Sequence, residues 1–188
     1  MSHYKGRLAE ILLETYQNAS ARLYYDGPPP RPGQYLQVLS AKDQEQAVPV
    51  SVFPAGTQNE TGVQISGNLP EGWEPGEELE VRGPLGKGFE LPKRAKRVLL
   101  APQGNNQLGR LLPLISIALA QGAEVVFCSE AAPTVLPLSV EVRGLAELAE
   151  LIEWADYLAI DIAIEELDEL TLGGRGRPPK ALVAEALV

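Results

Sequence analysis

The chain has 188 residues and is 45% hydrophobic, which suffices for one domain or two small ones with a real core. Its net charge of −9 disfavours nucleic-acid-binding and anionic-membrane-binding classes, because both need a basic face. A single cysteine, Cys128, excludes an intramolecular disulfide and any cluster held by several thiolates, so we expect no iron–sulfur cluster within this chain.

No charged-then-apolar leader opens the sequence, and no apolar run is long enough to cross a bilayer. We therefore expect a cytoplasmic protein without membrane insertion. His3 lies near the terminus, where a lone histidine is usually solvated.

The first half of the chain predicts short strands separated by turn signals. The predicted strands span residues 7–15, 19–25, 34–39, 48–53, 62–66 and 77–82. Strands of this length and spacing are typical of a small antiparallel β-barrel. We predict a six-stranded antiparallel barrel over residues 1–92.

From Arg97 the pattern changes to strands that alternate with helices. The predicted strands span residues 98–101, 124–129, 140–142, 156–160 and 181–183, and the predicted helices span 111–120, 145–154 and 164–170. This alternation predicts a parallel sheet with right-handed crossovers. We predict an α/β nucleotide-binding-like domain over residues 93–188.

Residues 81–92, VRGPLGKGFELP, stand between the two patterns. Gly83, Gly86 and Gly88 supply positive φ or close backbone approach, so the stretch predicts a tight, pre-shaped loop after the last barrel strand. We expect an alanine substitution at Gly83 or Gly86 to be unfavourable, because alanine resists the backbone conformation there.

The sequence GPLGKGFELP resembles the loop joining the two domains of ferredoxin-NADP reductase-like electron-transfer subunits, most nearly that of dihydroorotate dehydrogenase. The likeness extends to Pro32-Gly33-Gln34-Tyr35 and to Pro75-Gly76-Glu77-Glu78-Leu79, and covers roughly residues 4–161. The resemblance implies a flavin-binding barrel, a nicotinamide-binding domain, and a partner subunit in a redox complex.

For the flavin, the family's Arg-x-Tyr-Ser or Arg-Pro-Ile-Ser motif matches Val48-Pro49-Val50-Ser51, with valine in place of arginine. The resemblance implies flavin contacts at Pro49, Val50 and Ser51 and along Gly83, Pro84, Leu85 and Gly86. Arginine suits a diphosphate better than any other side chain. The family's second phosphate loop matches a segment that contains Asn68 and Glu71, and the Glu71 carboxylate would repel phosphate. The missing arginine and Glu71 together predict weak or absent FAD binding. Hydrogen bonds from Asn68 would offset only part of that loss.

For NAD(P), the family's glycine cluster matches a segment in which Gly104, Asn105 and Arg110 are the implied contacts. Most of its glycines are replaced, which favours a structural turn without nucleotide. The segment 157–161, where relatives carry a cysteine near the nicotinamide, has none. Cys128 ends another strand, where a buried small hydrophobe is the ordinary interpretation.

Two functions follow. The resemblance implies an electron-transfer subunit that passes electrons between a nicotinamide cofactor and a partner enzyme through a flavin. The degenerate motifs favour the alternative, a non-catalytic scaffold or assembly subunit. In either case we expect Glu147, Glu150 and Glu153 to face solvent or a basic partner.

Overall fold

The structure is a computed structural model that describes residues 2–15, 18–40, 42, 48–55, 62–66, 69–70, 72–102, 108–130, 136–161 and 182–184. The chain divides into two compact units, Met1–Phe89 and Glu90–Val188. Their assignment as a flavin-binding-type and a nucleotide-binding-like domain, divided at residue 92, stays a prediction.

The first unit is a closed barrel of six antiparallel strands. They are β1 (His3–Thr15), β2 (Asn18–Tyr25), β3 (Tyr35–Ser40), β4 (Val50–Pro54), β5 (Val63–Ser66) and β6 (Glu78–Leu85). Neighbouring strands follow the order β1-β2-β5-β4-β3-β6. The predicted antiparallel barrel is confirmed.

The barrel core follows from side-chain alternation along each strand. On β3, Leu36 and Val38 are fully buried while Gln37 between them is only partly covered. The buried cluster that these residues join also contains Leu8, Ala21, Leu23, Val52, Val63, Ile65, Trp73, Leu79 and Val81. Every strand of the barrel therefore contributes side chains to this core.

The predicted loop at residues 81–92 is wrong at its start, because β6 continues through Leu85. The pairing of β3 with β6 shifts register between Tyr35 and Gln37, and Tyr35 pairs with Leu85 beyond the shift. Gly83 lies at this irregularity with φ 137°, and a Cβ there would approach the Tyr35 carbonyl oxygen to 3.1 Å. The glycine thus permits a bulge that extends the strand. Gly86 also has positive φ, 82°, as predicted.

Two other strand boundaries differ from the prediction by more than one residue. β1 begins at His3 and not at residue 7, because His3 to Arg7 pair with β6. β4 begins at Val50, so Val48 and Pro49 precede it.

The second unit contains a five-stranded parallel sheet. Its elements are β7 (Arg97–Pro102), α1 (Leu108–Ala120), β8 (Glu124–Cys128), β9 (Val140–Arg143), a 3-10 turn (Leu145–Glu147), α2 (Leu148–Trp154), β10 (Tyr157–Asp161) and β11 (Leu182–Ala184). The strand order is β11-β10-β7-β8-β9, with every pair parallel. The predicted α/β architecture is confirmed, while the predicted helix at 164–170 lies outside the described residues.

The predicted helix at 145–154 is a 3-10 turn followed by the shorter α2. Leu148, Leu151 and Ile152 pack against the sheet core, and Glu150 and Glu153 are exposed, as expected. Glu147 differs, because it is partly buried and lies 3.1 Å from Arg143 in an ion pair. Within the described ranges, no helix is long and apolar enough to cross a membrane.

Candidate functional site

The outer face of β3 and β4 carries an aromatic and a hydroxyl group side by side. Gln37 pairs with Ser51 in the ladder, whereas the neighbouring pair, Leu36 and Val52, points into the core. By alternation, Tyr35, Ser51 and Phe53 share the outer face. The rings of Tyr35 and Phe53 lie 5.9 Å apart at 41°, and Phe53 is only 7% exposed. These three residues form what we call the barrel ledge.

The predicted flavin contacts fall at different places relative to the barrel ledge. Ser51 lies on it, and Pro49 is partly buried just before β4. Val50 packs against the barrel core, so only its main chain is available to a ligand on the outer face. Val48, at the position of the family's arginine, is 83% exposed. The residues Asn68 and Glu71 lie outside the described part of the chain.

Gln34 connects the segment before β3 to the loop after β6. Its side-chain amide nitrogen donates to the Gly86 carbonyl at 2.9 Å, and its side-chain oxygen accepts from the Arg31 N–H at 2.9 Å. The Phe89 N–H donates to the Pro32 carbonyl at 2.7 Å. The two segments that carry the resemblance therefore hold each other in place.

Gly33 makes this contact close. Its φ is 79°, and a Cβ on it would lie 2.5 Å from the Phe89 ring, which is itself buried. No other residue type combines this backbone conformation with this space.

A polar row crosses the outer face of the barrel, and sequence reasoning missed most of it. Ser51 pairs with Gln37, Gln37 pairs with Arg82, and Arg82 pairs with His3, so the four share one face across β4, β3, β6 and β1. At the usual strand spacing, the Ser51 and Arg82 main chains are roughly 10 Å apart. Only the register shift between β3 and β6 could have revealed this row, and the sequence does not mark it.

In the second unit, the strand order reverses between β7 and β10. From β7 the chain moves through α1 to β8 and β9 on one side, then through α2 to β10 on the other. Ligands of open α/β sheets bind at such a point, outside the carboxyl ends of the strands. Here those ends are Pro102 and Asp161, which pair directly in register. We call this edge the sheet crevice.

Arg110, the predicted phosphate contact, lies in the first turn of α1 beside the sheet crevice. Its Nη1 donates to Oδ1 of Asp161 at 2.9 Å. The Arg110 side chain is 15% exposed and that of Asp161 only 4%. Asp161 was not predicted as a site residue, and the other two predicted contacts, Gly104 and Asn105, lie outside the described residues.

Cys128 is fully buried, and its thiol donates to the Gly144 carbonyl at 3.3 Å. Burial, followed by the nearby charge of Glu147, raises the pKa of this thiol above its usual value. The interpretation of Cys128 as a buried small side chain is confirmed. Among the described residues, no three His, Cys, Asp or Glu side chains are arranged to hold a metal ion.

A comparison with family models finds no match, and neither does a comparison with curated protein sequences. Solved structures do match in fold. One is a ferredoxin reductase in carbazole 1,9a-dioxygenase, with TM-score 0.76 and 16% identity, over 98% of this chain and 67% of that one. Another is the ferredoxin-NADP+ reductase from Plasmodium falciparum, with TM-score 0.69 and 9% identity, over 97% and 95%.

A third match is a flavohemoglobin from Malassezia yamatoensis with bound FAD and heme, with TM-score 0.62 and 15% identity, over 98% of this chain and 60% of that one. At these identities the likeness establishes a shared fold. The resemblance to the two-domain ferredoxin-NADP reductase-like fold is confirmed, and the resemblance to the dihydroorotate dehydrogenase type stays a prediction.

Proposed function

We propose that this chain is an electron-transfer component that binds a flavin on the barrel ledge and passes electrons between a nicotinamide cofactor and a partner enzyme. The observation that carries the proposal is the barrel ledge itself. Tyr35, which is partly exposed and packs on the buried ring of Phe53, offers an aromatic surface to a flat ring, and Ser51 on the same face offers a hydroxyl. The flavohemoglobin with which this chain shares its fold has bound FAD, which supports a flavin as the ligand.

The residues present fit the ring half of a flavin better than its diphosphate half. Ser51 would donate to or accept from the polar edge of the ring, and the main chain from Gly83 to Gly86 would lie alongside it. A bound flavin supplies the electron-carrying chemistry. A diphosphate, however, would meet Val48 where the family has arginine, so no charge-assisted contact forms there. We therefore propose weak binding of FAD.

The nicotinamide nucleotide belongs to the sheet crevice in this proposal. The support is the reversal of strand order between β7 and β10 and the position of Arg110 there. A cytoplasmic partner enzyme of the dihydroorotate dehydrogenase type, docked by acidic residues such as Glu150 and Glu153, completes the proposal.

The alternative is a scaffold or assembly subunit that keeps the reductase fold without cofactors. Two observations favour it, namely the exposed Val48 and the carboxylate of Asp161 at Arg110. Val48 lacks the positive charge of the family's arginine, and Asp161 neutralises the charge of Arg110, so neither position offers a phosphate an unpaired cation.

Flavin binding separates the two functions. The purified chain is titrated with FMN and FAD, and the quenching of flavin fluorescence and the visible spectrum are followed. The proposal expects saturable binding of both flavins, weakened about tenfold by Ser51→Ala, which removes one hydrogen bond to the ring. Ser129→Ala, in the other unit, is the matched control. Absence of saturable binding by either flavin would leave the scaffold function.

A further inference from the structure

Arg110 and Asp161 are 51 residues apart in sequence and meet at the sheet crevice. Arg110 stands at the start of the helix that follows β7, and Asp161 is the last residue of β10. Because β7 and β10 are neighbours and parallel, their carboxyl ends place the two charges together. The pair is thus a product of the sheet topology, and neither residue's local sequence announces it.

The pair is largely withdrawn from water. With 4% of the Asp161 side chain and 15% of the Arg110 side chain exposed, each charge has lost most of its hydration. A charge in this position needs its partner, because removing one member of a buried pair leaves the other uncompensated. An anion that approaches Arg110 must therefore displace the Asp161 carboxylate or lie beside it.

We propose that Asp161 weakens phosphate binding in the sheet crevice by competing with a nucleotide phosphate for Arg110. The Asp161 carboxylate already lies 2.9 Å from Nη1 of the guanidinium, so a phosphate on the same guanidinium would be close to it, and two negative charges held close together repel strongly where water is scarce. Asp161 thereby lowers the affinity of the sheet crevice for phosphates. This inference rests on the nucleotide-binding part of the proposed function.

ADP binding to the whole chain, measured by NMR chemical-shift titration, tests the inference because the method detects millimolar affinities. Three proteins are compared: the unchanged chain, Asp161→Asn, and the double variant Arg110→Met/Asp161→Leu. The double variant removes both charges and keeps apolar bulk, a replacement that buried pairs often tolerate. Thermal unfolding establishes that each variant is folded.

Asp161→Asn should bind ADP at least tenfold more tightly than the unchanged chain, because Arg110 is then released to the phosphate. The double variant should bind ADP with an affinity within about threefold of that of the unchanged chain. The double variant has no arginine charge, and in the unchanged chain that charge is already paired with Asp161. A folded Asp161→Asn variant that shows no gain overturns the inference.

If Asp161→Asn does not fold, the other two proteins decide. Binding by the unchanged chain that is tenfold tighter than by the double variant would show that Arg110 serves a phosphate despite Asp161, and would overturn the inference. Equal binding supports it. The flavin titration reports on the other unit, so loss of flavin binding refutes electron transfer without touching the ADP result.

Discussion

The side-chain amide of Gln34 donates to the main-chain carbonyl of Gly86 at 2.9 Å, across 52 residues of sequence. Gln34 belongs to the turn that leads into β3, and Gly86 follows the last residue of β6. The bond fixes the loop from Gly86 to Phe89 beside the end of the barrel that carries Tyr35. Close packing at Gly33 and Phe89 reinforces it.

We expect Gly33→Ala to destabilise the first unit by about 2–4 kcal/mol. An alanine at positive φ costs about 1–2 kcal/mol, and its Cβ must also displace the buried Phe89 ring. The free energy of unfolding from urea titration measures the loss. Gly72→Ala is the matched control, because a Cβ at Gly72 meets no atom of the described residues within 4 Å. Equal stability of the two variants would show that the loop yields to the extra methyl group.

We expect the stability of the barrel to fall in acid because of Glu77. Burial alone would raise the pKa of this carboxyl, but hydrogen bonds from the Ser40 hydroxyl and the Glu74 N–H, with the Lys42 ammonium 3.8 Å away, outweigh burial. The pKa is therefore lowered from its usual 4.5. The charged form is favoured by folding, so its contribution is present above pH 4.5 and is lost as the pH falls through the lowered pKa.

The test compares the unchanged chain with Glu77→Gln. At pH 7 the variant should be less stable by about 1–3 kcal/mol, because a charged acceptor of two hydrogen bonds is replaced. The difference should shrink as the pH falls below the usual pKa of glutamate. A difference that is the same at pH 7 and under strongly acidic conditions would contradict a role for the charge.

At Tyr157, in contrast to Glu77, we expect removal of the polar group to have little effect on stability. Its hydroxyl is buried and has no hydrogen-bond partner among the described residues, and burial, then the charge of Glu90, raises its pKa to about 12. Removing an unpartnered buried hydroxyl is nearly neutral or stabilising, so Tyr157→Phe should change the free energy of unfolding by no more than about 1 kcal/mol. A larger loss in chemical denaturation would reveal a partner elsewhere in the chain.

The sequence predicted the architecture well because barrel and sheet both rest on local patterns. Alternation on β3 marked Leu36 and Val38 as core, and the continuous apolar run on β7 marked a strand buried on both faces. The glycines of the loop after β6 announced positive φ. Each of these signals can be read within a few residues.

The missed features depend on pairing between distant segments. The bulge that carries β6 to Leu85 is set by its register with β3, and sequence reasoning placed Gly83 in a loop. The same register aligns Arg82 with Gln37 and Ser51. The contact of Arg110 with Asp161 arises from the order of strands in the sheet. No local pattern contains this information.

In the proposed function the barrel ledge retains a flavin site that lacks its diphosphate contact. The most direct test is a fluorescence titration of FAD and FMN against the unchanged chain and Val48→Arg. The restored arginine should raise FAD affinity about tenfold or more, and FMN affinity less, because a diphosphate gains the charge-assisted contact. Val48→Gln is the uncharged control. Tight FAD binding by the unchanged chain, or no gain with arginine, would contradict this account.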